Sequence, residues 1–141
     1  ATFLTATSSE GVTLAGTLAV TGVHTVGNNA IATSEGGAAT FNVTQGLTKA
    51  WMQAAANGTG ASDAFGVSSL GDTGAGHQTV TFTNNFNNTG YSTVASQGTG
   101  NNHTVLISTT ATTNQQIKIY DVSSGGFEDS IQHTQFCGDL A

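Results

Sequence analysis

Carboxyl groups are the most numerous titratable groups in this 141-residue chain. Cleavage of a glycosidic bond needs two of them, one on either side of the bond, with the pKa of one raised. Glu128 and Asp129 are the only adjacent acidic residues, and the other candidates are Asp63, Asp72, Asp121 and Asp139. Acidic residues beside Gly-rich turns most often accept hydrogen bonds from nearby backbone N–H groups. We therefore interpret these carboxylates as turn residues rather than as a catalytic pair.

Serine, histidine and aspartate are all present, but no motif brings them together. The segment Gly66-Val-Ser68-Ser-Leu70 comes nearest to a nucleophile elbow. It lacks the second glycine of the Gly-x-Ser-x-Gly pattern, which allows the sharp turn that exposes the serine. We therefore expect no enzymatic activity.

Metal binding has two weak candidates among the histidines. His133 and Cys137 are four residues apart, which puts them on one face of a strand at roughly 13 Å, too far for one shared ion. In a three-fold assembly, one histidine from each chain could meet on the axis and supply three nitrogens. His24 and His133 are the candidates for such a site. A polar histidine without an ion is the simpler interpretation, so we expect neither a metal nor a cofactor.

One segment combines the residue types that hold sugars. Residues 84–91 read Asn-Asn-Phe-Asn-Asn-Thr-Gly-Tyr, so amides that can hydrogen-bond alternate with rings that can stack. The candidate receptor-binding residues are Asn84, Asn85, Phe86, Asn87, Asn88 and Tyr91. Binding residues are commonly found on loops of a rigid scaffold. The alternative is a plain surface loop with asparagines in turn positions.

The charge balance excludes several partners. Two lysines and no arginine face eight acidic residues, for a formal net charge of −6. Because phosphate neutralisation dominates affinity for nucleic acids, we expect no binding to DNA or RNA. No stretch approaches the roughly 20 apolar residues that span a bilayer, so we expect no membrane insertion. A single cysteine, Cys137, excludes an internal disulfide.

Two regions differ in composition, and we place their boundary after residue 46. Residues 1–46 are rich in Thr, Gly, Ala and Val, and residues 11–27 alternate imperfectly between apolar and small polar side chains. Such a strip buries too little apolar surface to offset the entropy of ordering its backbone. We expect an extended β-arm or stem that becomes ordered by winding with copies of itself. A floppy arm is the alternative.

Residues 47–141 predict a small antiparallel β-sandwich or barrel. Strand candidates recur every 10–15 residues between turns, at residues 63–70, 79–83, 91–96, 104–108, 115–122 and 130–136. The strict alternation in residues 79–83 directs Val80 and Phe82 inward, and Ile117 and Ile119 share one side of another strand. Residues 47–56 have helix-forming composition, but their neighbours are strands. We interpret them as a strand, with a helix as the alternative.

Four pieces of sequence follow one another in a familiar order: Lys49-Ala50-Trp51, Asn57-Gly-Thr-Gly60, residues 65–76 with Phe-Gly-Val-Ser-Ser-Leu and a Gly/Asp turn, and Thr79-Val-Thr-Phe-Thr83. The series resembles the C-terminal all-β domain of bacteriophage tail-fibre and related virion structural proteins, over roughly residues 47–122. Many relatives carry a large side chain where this chain has alanines at 54–56, and residues 130–141 have no counterpart. Receptor contacts in that family lie in variable loops, so none is transferred by position.

The resemblance implies a bacteriophage virion structural protein, a homotrimeric and non-enzymatic tail fibre with a tip that binds host-surface glycan. Its partners would be its own copies and, through the N-terminal arm, other virion proteins. It would lie on the exterior of the phage particle, at the tail or capsid. A capsid-decorating or head-fibre protein is the first alternative. A polysaccharide depolymerase and a bacterial surface adhesin are weaker ones.

Overall fold

The computed structural model describes residues 17, 19–25, 30–33, 40–56, 59–98 and 102–141, and strands account for most of them. The elements in chain order are β1 (Ile31–Thr33), β2 (Thr40–Asn42), α1 (Val43–Gly46), β3 (Thr48–Ala54), β4 (Ala61–Phe65), β5 (Val67–Gly74), β6 (His77–Phe82), β7 (Ser92–Gln97), β8 (His103–Thr110), β9 (Asn114–Asp121), β10 (Gly126–Phe127) and β11 (Gln132–Cys137). The all-β fold predicted from the sequence is confirmed. Among the described residues, no helix is long or apolar enough to cross a membrane.

Two antiparallel sheets contain most of the strands. One has four strands in the order β4-β3-β11-β7. The other has five, in which β5, β6 and β9 are neighbours and β9 also pairs with β8 and with the short β10. The same residues of β9 pair with both β6 and β8, so these two strands flank β9 on opposite edges. A separate hairpin pairs β1 with β2.

The core forms where alternate side chains of the two sheets meet. Strand β3 contributes Ala50, Met52 and Ala54, all at most 2% exposed, and β9 contributes Ile117 and Ile119. This period of two is typical of a strand with one face in a core and the other in solvent. It confirms the strand interpretation of residues 47–56, because a helix would not bury every second residue. The inward orientation of Val80 and Phe82 is also confirmed.

The core contains aromatic side chains at one end and buried amide side chains further along. At one end, the ring of Phe82 makes edge contacts with Phe86 and Phe136, with centroids 4.8 and 4.9 Å away. Further along the same strands, the inward-facing residues are Gln78 on β6 and Gln132 on β11, both 0% exposed and hydrogen-bonded to each other. We call these the aromatic end and the polar end of the sandwich.

One predicted strand is wrong in detail. The sequence pattern gave a single strand over residues 63–70 with Phe65 and Val67 on one face. The structure instead ends β4 at Phe65 and begins β5 at Val67, in the other sheet. Gly66 between them has φ of 68°, and a Cβ there would lie 2.5 Å from the carbonyl oxygen of Lys49. The following turn is also shorter than predicted, because β5 continues to Gly74.

Most of the predicted N-terminal arm lies outside the described residues. Of the segment 11–27, residues 17 and 19–25 are described, and none of them is in a strand. The hairpin β1–β2 pairs Ile31 with Asn42, just before β3 begins at Thr48. Assembly of the arm with copies of itself stays a prediction.

Candidate binding site

The outer face of the four-stranded sheet carries a row of apolar and amide side chains. Alternation in β3 directs Ala50 and Met52 into the core and therefore Trp51 outward. Trp51 pairs with Phe65 on β4 and with Gln135 on β11, and Gln135 pairs with Val94 on β7. Phe65, Trp51 and Val94 are 59%, 36% and 65% exposed. We call the row formed by Phe65, Trp51, Gln135 and Val94 the apolar row.

A second row, entirely polar, lies beside it on the same face. Gln53 pairs with Asp63 on β4 and with His133 on β11, and His133 pairs with Ser96 on β7. Directly opposed residues in neighbouring strands have Cβ atoms about 4.5–5.5 Å apart. The polar row therefore offers a carboxylate, an amide, an imidazole and a hydroxyl in sequence across the sheet.

A shallow cavity of about 150 Å³ lies where the two rows meet. Its walls come from Trp51 and Gln135 of the apolar row and from Gln53, Asp63 and His133 of the polar row, with Met52 and Thr134 also contributing. Trp51 is the only tryptophan in the chain. Together, Trp51 and Phe65 expose aromatic surface beside groups that donate and accept hydrogen bonds, an arrangement that suits an amphipathic ligand. A saccharide has that chemistry, because its C–H faces are apolar and its edge is lined with hydroxyls.

The loop predicted to bind a receptor is only partly available. Its four asparagines are exposed, but Phe86 is 1% and Tyr91 9% exposed. The two rings stack on each other at 4.2 Å between centroids and belong to the aromatic end of the core. Neither ring can therefore stack on a ligand in this conformation. The sequence could not distinguish these core rings from surface rings, because the loop around them is polar.

The same loop borders a second cavity of about 240 Å³, formed by Asn88, Gly90, Tyr91, Gly138 and Asp139. The side-chain oxygen of Asn88 accepts a hydrogen bond from the backbone N–H of Gly90 at 2.7 Å, which fixes the turn. The contact of Asn84, Asn85, Asn87 and Asn88 with a receptor stays a prediction.

The carboxylates and Ser68 have structural partners. Oδ1 of Asp72 accepts a hydrogen bond from the N–H of Gly74 at 2.8 Å, and Oδ1 of Asp129 accepts one from the N–H of Gly76 at 2.6 Å. The turn role predicted for Asp72 is confirmed, whereas Asp129 accepts from a glycine 53 residues away in the sequence. The Ser68 hydroxyl lies 3.2 Å from the carbonyl oxygens of Thr81 and Phe82, to which it donates.

A cluster outside the predicted site joins His103, Asp121 and Glu128, whose ligand-type atoms all lie within 4.8 Å of one another. Hydrogen bonds from the hydroxyl and N–H of Ser123 and from Ser124 hold the pKa of Asp121 down at about 2. A glycosidase would need one carboxyl of such a pair to have a raised pKa. The shift at Asp121 has the opposite direction, so Asp121 itself does not suit the role of general acid.

The residues considered for metal binding lie in two different parts of the chain, β11 and the N-terminal arm. His133 is exposed on the outer face of β11, whereas Cys137 follows a register shift after Phe136 and is half-buried, with its Sγ 3.7 Å from the hydroxyl of Thr48. His24 is exposed in the described part of the arm. A shared site for His24 or His133 on a three-fold axis stays a prediction.

Sequence reasoning missed Trp51 as a site residue, although the signal was present. In residues 48–54, Trp51 has the opposite parity to Ala50, Met52 and Ala54. On a strand whose alanines face the core, that parity directs a large ring toward solvent. The pairing of Trp51 with Phe65 depends on the sheet register, which no local pattern specifies.

Comparison with protein-family models, with curated protein sequences and with solved structures finds no match to this chain.

Proposed function

We propose that this chain is a non-enzymatic adhesion module: a bacteriophage virion structural protein, the tip of a homotrimeric tail fibre, that binds host-surface glycan. The observation that carries the proposal is the pair of rows on the outer face of the four-stranded sheet. The aromatic rings of Trp51 and Phe65 lie directly beside the polar groups of Gln53, Asp63 and His133. A sugar ring would stack on the former and hydrogen-bond to the latter.

The shallowness of the site fits adhesion rather than turnover. A cavity of about 150 Å³ is smaller than the roughly 300–1,000 Å³ of pockets that enclose a drug-sized ligand. Such a surface contacts one or two units of a longer polymer and binds each weakly. Three copies held together in one fibre would raise the overall strength of attachment through the high effective concentration of the second and third sites.

The charge of the chain also supports this function. With two lysines and a net charge of −6, the chain has little general attraction for the anionic surfaces of cells. A searching particle benefits, because attachment then depends on the specific site. The N-terminal arm, residues 1–46, would contact other virion proteins.

An array of purified bacterial lipopolysaccharide O-antigens and capsular polysaccharides tests the proposal. We expect the chain to bind a restricted set of these glycans. Trp51→Ala should weaken that binding about 10- to 100-fold, since a central aromatic contact commonly dominates a binding surface. Gln135→Ala should weaken it by a smaller factor, about 3- to 10-fold, through the loss of one hydrogen-bonding amide. Circular dichroism of both variants should match the wild type.

Leu106→Ala is the matched control, because Leu106 is 42% exposed on the other sheet. It should leave glycan binding unchanged. Binding that is equal in wild type, Trp51→Ala and Gln135→Ala would contradict the proposed surface. Release of shortened glycan during the assay would contradict the non-enzymatic function and favour a depolymerase.

A further inference from the structure

His103, Asp121 and Glu128 come together at the polar end of the sandwich, and each comes from a different segment of the chain. His103 on β8 pairs directly with Asp121 on β9, so both side chains lie on the same face of the sheet. Glu128 follows β10, on the other edge of β9, and its N–H donates to the carbonyl oxygen of Ile119 at 3.2 Å. Three chain segments that flank or form β9 therefore direct one ligand-type side chain each toward a common point.

The distances suit a small divalent ion. Zn²⁺ binds nitrogen and oxygen ligands at about 2.0–2.2 Å, so two ligands of a tetrahedral site lie roughly 3.3–3.5 Å apart. The Nε2 of His103 and the Oε2 of Glu128 are 3.4 Å apart. With the nearest oxygen of Asp121 within 4.8 Å of both, an ion at the centre requires an inward shift of about 1 Å at most.

The surroundings hold two of the three ligands in place. Asp121 is 8% exposed, and its Oδ1 accepts hydrogen bonds from the N–H and hydroxyl of Ser123 at 2.8 and 2.6 Å. The Nδ1 of His103 contacts the side-chain Nε2 of Gln97, on the opposite sheet. For Nε2 of His103 to carry the lone pair that a metal needs, the Gln97 amide must turn by 180° so that its oxygen accepts the Nδ1 proton. Metal-binding histidines usually have such a partner on the second nitrogen.

The only basic side chain at this point in the described structure is His103, whose Nε2 pairs with the Oε2 of Glu128. Asp121 and Glu128 bring two carboxylates within 4.8 Å of each other. The chain has no arginine, and within the described residues neither lysine pairs with them. The ammonium of Lys118 lies 5.8 Å from the centroid of the Phe127 ring, and that of Lys49 donates to the carbonyl oxygen of Thr44. A divalent cation would balance both carboxylates.

We propose that His103, Asp121 and Glu128 form a binding site for a divalent transition-metal ion of the Zn²⁺ type. The donor set of one imidazole and two carboxylates suits Zn²⁺ and disfavours Ca²⁺ and Mg²⁺, which take oxygen ligands. Such an ion would connect β8, β9 and the segment after β10 at the polar end of the sandwich. Its role is structural, and it is independent of the glycan-binding surface.

Calorimetric titration of the full chain with Zn²⁺, after treatment with a chelator, tests the site. We expect one Zn²⁺ per chain and a higher melting temperature with Zn²⁺ than without it. Glu128→Gln and His103→Ala should each weaken Zn²⁺ binding by about tenfold or more and remove the rise in melting temperature. The side chain of Glu128 is 57% exposed, so this variant tests ligation without disturbing the core.

His133→Ala is the control, because His133 lies on the outer face of the four-stranded sheet. It should bind Zn²⁺ as the wild type does. No Zn²⁺ binding by the wild type, unchanged affinity in Glu128→Gln, or loss of binding in His133→Ala would each overturn the proposal. Displacement of Zn²⁺ by an equal concentration of Ca²⁺ would overturn the assigned metal class.

Discussion

Tyr91 shows how the burial of one side chain sets the response of the protein to alkali. Its hydroxyl donates a hydrogen bond to the carbonyl oxygen of Ala111 at 3.0 Å, and its ring lies among those of Phe82, Phe86 and Phe136. Because burial disfavours the charged form, the pKa of Tyr91 rises from 10.0 to about 12. The neutral phenol is therefore part of the folded state.

We predict that Tyr91 makes the chain less stable at high pH. A raised pKa in the folded state stabilises the fold fully below pH 10.0, and this stabilisation is lost as the pH rises toward about 12. At neutral pH, Tyr91→Phe should lower the free energy of unfolding by about 0.5–1.5 kcal/mol, because the hydrogen bond to Ala111 is lost. Between pH 10 and 12, the free energy of unfolding of Tyr91→Phe should fall less than that of the wild type. Urea unfolding across this pH range measures both differences. Tyr120→Phe is the control, and equal alkaline loss in wild type and Tyr91→Phe would contradict the prediction.

The buried pair Gln78 and Gln132 makes a different prediction. The Nε2 of Gln132 donates to the Oε1 of Gln78, while the Nε2 of Gln78 and the Oε1 of Gln132 have no partner among the described residues. Gln132→Leu alone should lower the free energy of unfolding by about 1–3 kcal/mol, because it leaves the buried amide of Gln78 without its hydrogen-bond partner. Adding Gln78→Leu should recover most of that loss. A double-mutant cycle in urea measures the coupling, and additive losses would show that the pair does not act as a unit.

At the scale of elements, the sequence predicted strands better than their partners. The alternation around Val80 and Ile117 specified two core strands, because hydrophobic period alone determines which face is buried. The sequence pattern did not predict the break at Gly66, because the alternation continues on both sides of this residue and resembles a single strand. The apolar row could not be predicted either, because it depends on which strands are neighbours in the sheet. Pairing between strands that are distant in sequence leaves no local signal.

Two glycines test the break between β4 and β5. Gly66 and Gly60 both have positive φ, of 68° and 77°. A Cβ on Gly60 would meet nothing within 4 Å, whereas one on Gly66 would lie 2.5 Å from the Lys49 carbonyl oxygen. Gly60→Ala should therefore cost about 1–2 kcal/mol for the backbone conformation alone. Gly66→Ala should cost clearly more, about 3 kcal/mol or above, because backbone atoms must also move. Thermal unfolding compares them, and equal losses would contradict the described contact.

At the scale of the whole molecule, the buried side chains of the sandwich change from aromatic at one end to polar at the other. Phe82 and Phe136 fill one end, while Gln78, Gln132 and Asp121 are buried toward the other. Because buried polar groups cost free energy unless they are hydrogen-bonded, a further source of stability would benefit this fold. The proposed metal site supplies one at the polar end, and assembly of the arms of several chains would supply another.

We predict that the full chain is a trimer in solution and that removal of residues 1–46 changes its mass to that of a monomer. The reason is that the Thr- and Gly-rich arm buries little apolar surface unless it winds with copies of itself. Sedimentation equilibrium of the full chain and of residues 47–141 measures both masses. A full chain that sediments as a monomer would contradict the homotrimer, as would a trimer that persists without the arm.

The central claim is that glycan contacts the outer face of the four-stranded sheet rather than the asparagine loop. Nuclear magnetic resonance measures this directly, because Trp51 is the only tryptophan and gives a single indole N–H signal. During titration with a polysaccharide that the array identifies, we predict that this signal shifts together with the amides of Gln53, His133 and Gln135. Shifts confined to Asn84, Asn85, Asn87 and Asn88, with the indole signal unmoved, would contradict the claim.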